Sequence, residues 1–153
     1  MSNSEPMVPS GAQFRPHAPD FAGFDMPSSV PAGMRLELSR APIKSGQEPV
    51  FDKWMTVLNE RYKEHEAAVS SERQILEATF KSTEVNGQVW IYHLSLMGIE
   101  GGSLDEQLQM GADHAAYSRQ AKEPGWEELE PKFMLTPNHL RALMEQWAAT
   151  GIE

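Results

Sequence analysis

The chain contains no cysteine among its 153 residues. That excludes disulfide bridges, a thiolate nucleophile and cysteine-ligated zinc, and it fits a reducing compartment. Basic charge is also scarce: 13 Lys and Arg against 22 Asp and Glu leave a net charge of -9. The basic residues are scattered, so no patch complements a phosphate backbone or an anionic bilayer, and neither nucleic acid nor a membrane is an expected partner. No run approaches the roughly 20 apolar residues of a membrane span, and residues 1–30 lack the basic start and apolar core of a signal peptide. A cytoplasmic protein is the expectation. Tight metal motifs such as HxH or HExxH are missing too, and "EHE" at 64–66 spreads its members around a helix. "GIEGG" at 98–102 lacks the lysine and spacing of a phosphate loop and reads as a loop leading into a helix. Neither a metal nor another cofactor is expected. What is present is 40% apolar content, enough for the core of one domain.

Six of the eleven prolines fall in residues 1–33, with Ser, Gly and scattered apolar side chains. This composition predicts a largely disordered leader without helix or strand. Three of the six phenylalanines, Phe14, Phe21 and Phe24, lie in it. Ordering the whole leader costs roughly 1–2 kcal/mol per residue, whereas each buried Phe returns about 2–3 kcal/mol. Only the piece "FRPHAPDFAGF" is therefore placed to dock, on its own chain, on a second copy or on another protein.

From Met34 the pattern changes. "MRLELS" alternates apolar and polar residues, the period of a half-buried strand. Phe51, Trp54, Met55, Leu58, Tyr62 and Val69, with His65 in the same row, make one stripe on a long helix with Pro49 in its first turn. Two β-rich runs follow, joined through Asn86-Gly87, a pair suited to a tight hairpin. If these two residues form the turn, Val85 faces Gln88. Leu76, Ala78 and Phe80 then share a face with Val89, Ile91 and His93, and Glu77, Thr79 and Lys81 share the other with Trp90, Tyr92, Leu94 and Leu96. A second helix is expected from Ser103, capped by its hydroxyl with Glu106 reaching back, to about Lys122. "KFMLT" at 132–136 is the expected last strand, and a closing helix runs from Pro137 to Gly151. The order βαββαβ predicts an α+β, ferredoxin-like plait over 34–136, with residues 137–153 as an added C-terminal helix packed on it.

That register sets Trp90, Tyr92, Leu94 and Leu96 on the sheet face away from the two helices, a patch larger than monomers usually leave in water. Two covers compete: a second copy packed sheet to sheet, or the closing helix of the same chain. The hydrophilic minority of Glu77, Thr79 and Tyr92 suits a wet pocket and favours the homodimer.

The stretches "KWMTVLNERYKEHEAAVSSERQILEATF", "GQVWIYHLSL" and "HAAYSRQAKEPGWEELEP" carry a resemblance. From about Met34 to Leu135 the chain resembles a little-characterised bacterial family of small proteins in the dimeric α/β-barrel superfamily. The resemblance implies a ferredoxin-like fold and a homodimer, and it supplies no reaction and no catalytic residues. The superfamily spans cofactor-free monooxygenases, haem-degrading enzymes, cyclases, isomerases and plain ligand binders, so it constrains function weakly. The leader and the helix after Pro137 depart from the short family core.

Groups able to exchange protons near neutral pH come first as site candidates. His93 reads either as a hydrogen-bonded histidine under the helices or, with a slipped register, as a base in the lumen. His114 and Tyr117, three apart on one helix side, form a candidate acceptor and donor pair, or a packed seam against the sheet edge. Trp90 and Tyr92 are candidate walls for a flat or hydrophobic molecule, with Glu77 as the carboxylate; a dimer contact explains the aromatics equally well, and Lys81 is a plausible partner for Glu77. His65 reads as a boundary residue of its stripe, and His17 and His139 receive no role. Two functions follow. One is a cofactor-independent small-molecule enzyme or binder, monooxygenase-, cyclase- or isomerase-like, acting on a hydrophobic or aromatic compound in the barrel pocket. The other is a non-catalytic homodimer that recruits a protein partner through Phe14, Phe21 and Phe24.

Overall fold

The computed structural model describes residues 13–152. Four strands, β1 (Met34–Pro42), β2 (Gln74–Thr83), β3 (Val89–Gly98) and β4 (Glu127–Leu129), form one open antiparallel sheet in the order β2-β3-β1-β4. The helices are α1 (Glu48–Glu60), α2 (Tyr62–Val69), α3 (Gln109–Ala121) and α4 (Asn138–Thr150). This α+β arrangement is consistent with a ferredoxin-like plait. No helix among the described residues is long and apolar enough to cross a membrane.

Alternation along the strands gives the sheet two unlike faces. On one, Ile43, Phe51, Trp54, Ile91 and Ala121 form a core under α1 and α3. On the other, Val30, Met34, Leu96 and Ala148 form a second core under α4 and the end of the leader. The closing helix thus does cover part of the outer face, at the Leu96 end. The Trp90 end is also closed from within the chain: Trp90 is 2% exposed, Phe14 packs edge-on against it at 5.9 Å, and the Arg40 guanidinium lies 4.5 Å over its ring. Residues 13–33 hold neither helix nor strand, yet they lie against the sheet: His17 stacks on Phe21, and Phe24 contacts both rings. The expectation for residues 1–12 falls outside the described residues. Between the two covers, Leu76 and Phe80 remain 51% and 56% exposed.

Four sequence-based expectations are corrected. The hairpin turn is longer by one residue: Glu84 and Gln88 close it, with Glu84 N–H donating to the Gln88 carbonyl, and Thr83 pairs with Val89. Gly87, at φ +86°, supplies the left-handed conformation that this loop requires. The single long helix is two, broken at Arg61 (φ -104°, ψ 38°), so Tyr62 turns out to 62% exposure while His65 turns inward. Ser103 does not cap a helix. The segment after it is pinned as a loop by hydrogen bonds from Gly102 N–H to Ser71 O, from Asp105 N–H to Ala68 O and from the Ser71 hydroxyl to Ser103 O, and α3 starts at Gln109. The last strand is Glu127–Leu129 rather than 132–136: Arg40 binds Glu127 and Arg35 binds Glu128 across the ladder, whereas Met134 N–H goes to the Ser29 hydroxyl of the leader.

Candidate functional site

The one-residue change in the hairpin has a chemical result, because it exchanges the faces of β2 relative to β3. Leu76, Ala78 and Phe80 now lie beside Trp90, Tyr92, Leu94 and Leu96, while Glu77 and Thr79 lie beside His93 and Ser95 under the helices. Glu77 therefore leaves the expected outer pocket. It meets His93 instead, whose Nε2 stands 3.1 Å from Glu77 Oε1. The break at Arg61 brings a second histidine from above, with His65 Nε2 3.1 Å from Glu77 Oε2. His114 approaches from α3, its ring 4.6 Å from that of His65, and its Nδ1 accepts a 3.0 Å hydrogen bond from Trp54 Nε1. Four elements, α2, β2, β3 and α3, each contribute one ionisable side chain to this cluster.

The partners dictate where the protons sit. A carboxylate only accepts, so Nε2 of both His65 and His93 carries the hydrogen shared with Glu77. An indole N–H only donates, so Nδ1 of His114 is a lone pair and the neutral ring carries its proton on Nε2. Burial alone would raise the Glu77 carboxyl, but the hydrogen bonds from His65 and His93 outweigh it and hold the group well below the usual carboxylate range. Burial, joined by the neighbouring His65, pushes His114 down to about 4, so it is neutral at pH 7. Glu72 nearby is raised, chiefly by burial. His65 Nδ1 is buried and has no hydrogen-bond partner among the described residues.

Beside the cluster an open cleft of about 370 Å³ separates α1 and α2 from the edge strand β2. Met55, Leu58 and Tyr62 form its helical side, Ala78 and Thr79 part of its strand side, and His65 and Glu77 its polar end. Asn59, Glu66 and Gln74 line it as well, so the cleft offers apolar and polar surface together, as small-molecule sites do. His93 and His114 lie outside the lining and touch it through Glu77 and His65.

Three of the four residues expected to handle protons, Glu77, His93 and His114, are thus brought together. Tyr117 is not part of the cluster and packs against the core of Phe51, Trp54 and Ile91. Trp90 and Tyr92 stand on the opposite sheet face, where Arg40 contacts both, so they wall a different space from the one Glu77 faces. Lys81 pairs with Glu48 rather than with Glu77. His65 and Trp54 are the members that sequence reading assigned to helix packing. Their signal was a histidine in a core-facing row, which is informative only once an acid is known to lie opposite. His65, Glu77 and His114 also each offer a ligand atom, all within 4.8 Å of one another. The missing HxH-type spacing therefore did not exclude a donor cluster assembled from distant elements.

Residues 34–142 match the model of a family described as a family of unknown function (DUF6176). The matched span holds all four cluster residues and every residue lining the cleft. No curated protein and no solved structure matches the chain.

Proposed function

We propose that this chain, which belongs to the family of unknown function DUF6176, is a small-molecule enzyme or binder whose working site is the cleft between α1, α2 and β2. The observation that carries the reading is the convergence of Glu77, His65, His93 and His114 beside a cleft of mixed apolar and polar lining that His65 and Glu77 themselves line. Glu77 binds His65 through Nε2 and fixes the ring at the edge of the cleft, as a carboxylate orients an imidazole beside a bound polar group. The Met55, Leu58 and Tyr62 side takes the hydrophobic part of the ligand. Isomerase- or cyclase-like proton movement fits these groups.

Ligand-observed NMR with a library of aromatic and aliphatic fragments tests it. Fragments with an apolar body and one polar group are expected to bind the wild type. They should be lost, by about tenfold or more in affinity, both in Glu77→Gln and in Leu58→Trp, which fills the cleft. A library with no hits, or hits indifferent to both changes, overturns the reading.

Leu76 and Phe80 are more than half exposed on the outer sheet face, beside Tyr92 and Leu94. We propose that a second copy covers this strip, pairing the sheets as in the dimeric α/β-barrel superfamily.

A further inference from the structure

We infer that His65, Glu77 and His114 form a binding site for a divalent transition metal ion of the zinc class. Two imidazoles and one carboxylate are a donor set that zinc, cobalt and their neighbours accept. The donor atoms of the three residues already lie within 4.8 Å of one another. The closest pair, His65 Nε2 and Glu77 Oε2, is 3.1 Å apart. Two ligands at roughly 2.0–2.1 Å on a tetrahedral ion are separated by about 3.3 Å, so a metal replaces the proton shared by this pair with little movement. His114 must close in by up to about 1.5 Å, within the reach of a side-chain rotation.

The surroundings match those of metal-bound carboxylates and histidines. His93 donates Nε2–H to the other oxygen of Glu77, and such an outer hydrogen bond fixes the orientation of a ligating carboxylate. Glu77 places its carboxylate in a mostly buried position between the two histidines that it binds. Opposing these terms, Trp54 Nε1 holds His114 Nδ1, and that hydrogen bond must yield if this nitrogen is to ligate. Three protein ligands leave at least one position open, which is the form of a catalytic rather than a structural zinc site. Two of the three ligands, His65 and Glu77, also line the cleft. What would occupy the open position rests on the function proposed above; the binding of the ion itself does not.

The experiment uses metal-free full-length chain titrated with Co(II), with Zn(II) followed by calorimetry. A 1:1 complex is expected, with the intense visible absorption of a low-coordinate cobalt ion. Affinity should fall at least tenfold in His65→Ala and in Glu77→Gln. The His139→Ala control, in the exposed first turn of α4, should bind as the wild type does. Trp54→Phe, which removes the competing donor, should bind at least as tightly. Because a core substitution can unfold the chain, the wild type supplies a second readout: paramagnetic broadening by Co(II) should reach the ring signals of His65, His93 and His114 and spare those of His139. Absence of a 1:1 cobalt spectrum, broadening spread over surface histidines, or binding unchanged in both ligand variants overturns the inference. Fragment binding that persists in chelator-treated protein, together with no metal binding, removes this inference alone; metal binding with no fragment hits removes only the function proposed above.

Discussion

A lysine at the end of α3 shows how one side chain registers its surroundings. Burial pushes the Lys122 ammonium below the ordinary 10.5, and no carboxylate pairs with it among the described residues. A buried charge without a partner is a cost that an apolar side chain of similar length relieves. Lys122→Met is therefore expected to raise the melting temperature by about 2–4 °C, the shift that about 1 kcal/mol produces in a chain of this size. The folded state holds this proton less tightly than the unfolded state does. Just below 10.5 the unfolded chain thus binds more protons, and stability from this group rises with pH through that window. Denaturant melts of wild type and variant at about pH 7.5 and 9.5 check the sign: the gap between them should narrow at the higher pH. A gap that widens would contradict it.

Among the elements, α4 depends on one close approach. A Cβ built at Gly98 would lie 2.5 Å from the Ala148 carbonyl oxygen and 2.8 Å from its Cα, both backbone atoms that cannot rotate away. Gly98→Ala is expected to lift α4 from the sheet and cost about 1–3 kcal/mol. Trp147, whose indole N–H donates to the Gln74 carbonyl at 2.8 Å, reports the movement through its fluorescence. An unshifted melt with unchanged fluorescence would refute this contact. The hairpin makes the same point about position. Asn86-Gly87 was recognisable as a turn, but a turn of two residues and the observed loop closed by Glu84 and Gln88 differ in register by one, and that one residue decides whether Glu77 faces Trp90 or His93.

For the whole molecule, the open strip of Leu76 and Phe80 sets the expected assembly. Sedimentation should show a dimer at micromolar concentration that Phe80→Glu converts to monomer, since a charge on the covered face has no partner there. A wild type that stays monomeric at high micromolar concentration would remove the sheet-to-sheet reading. Such a result would not remove the cleft, whose lining residues, the strip residue Leu76 included, all belong to this one chain.

Periodicity and composition by themselves determined much of this protein. Alternation in "MRLELS" placed β1, the row from Phe51 to Leu58 placed α1, and the order of elements led to a four-stranded antiparallel sheet with helices. Those patterns are legible because burial of one face imposes a local repeat on the residues that make it. The site was only partly legible. Glu77, His93 and His114 could be singled out by their chemistry, yet they are brought together with His65 by a hairpin register and a helix break. Both features turn on single residues, Gln88 closing the loop and Arg61 interrupting α1, and neither alters the local pattern of apolar and polar residues. Likewise, Trp90 was rightly apolar and buried, but whether a second subunit, α4 or the leader closed over it depended on contacts between segments far apart in the chain. Tertiary packing alone decided these matters, because the free energy that selects among them belongs to pairs of elements and not to any one of them.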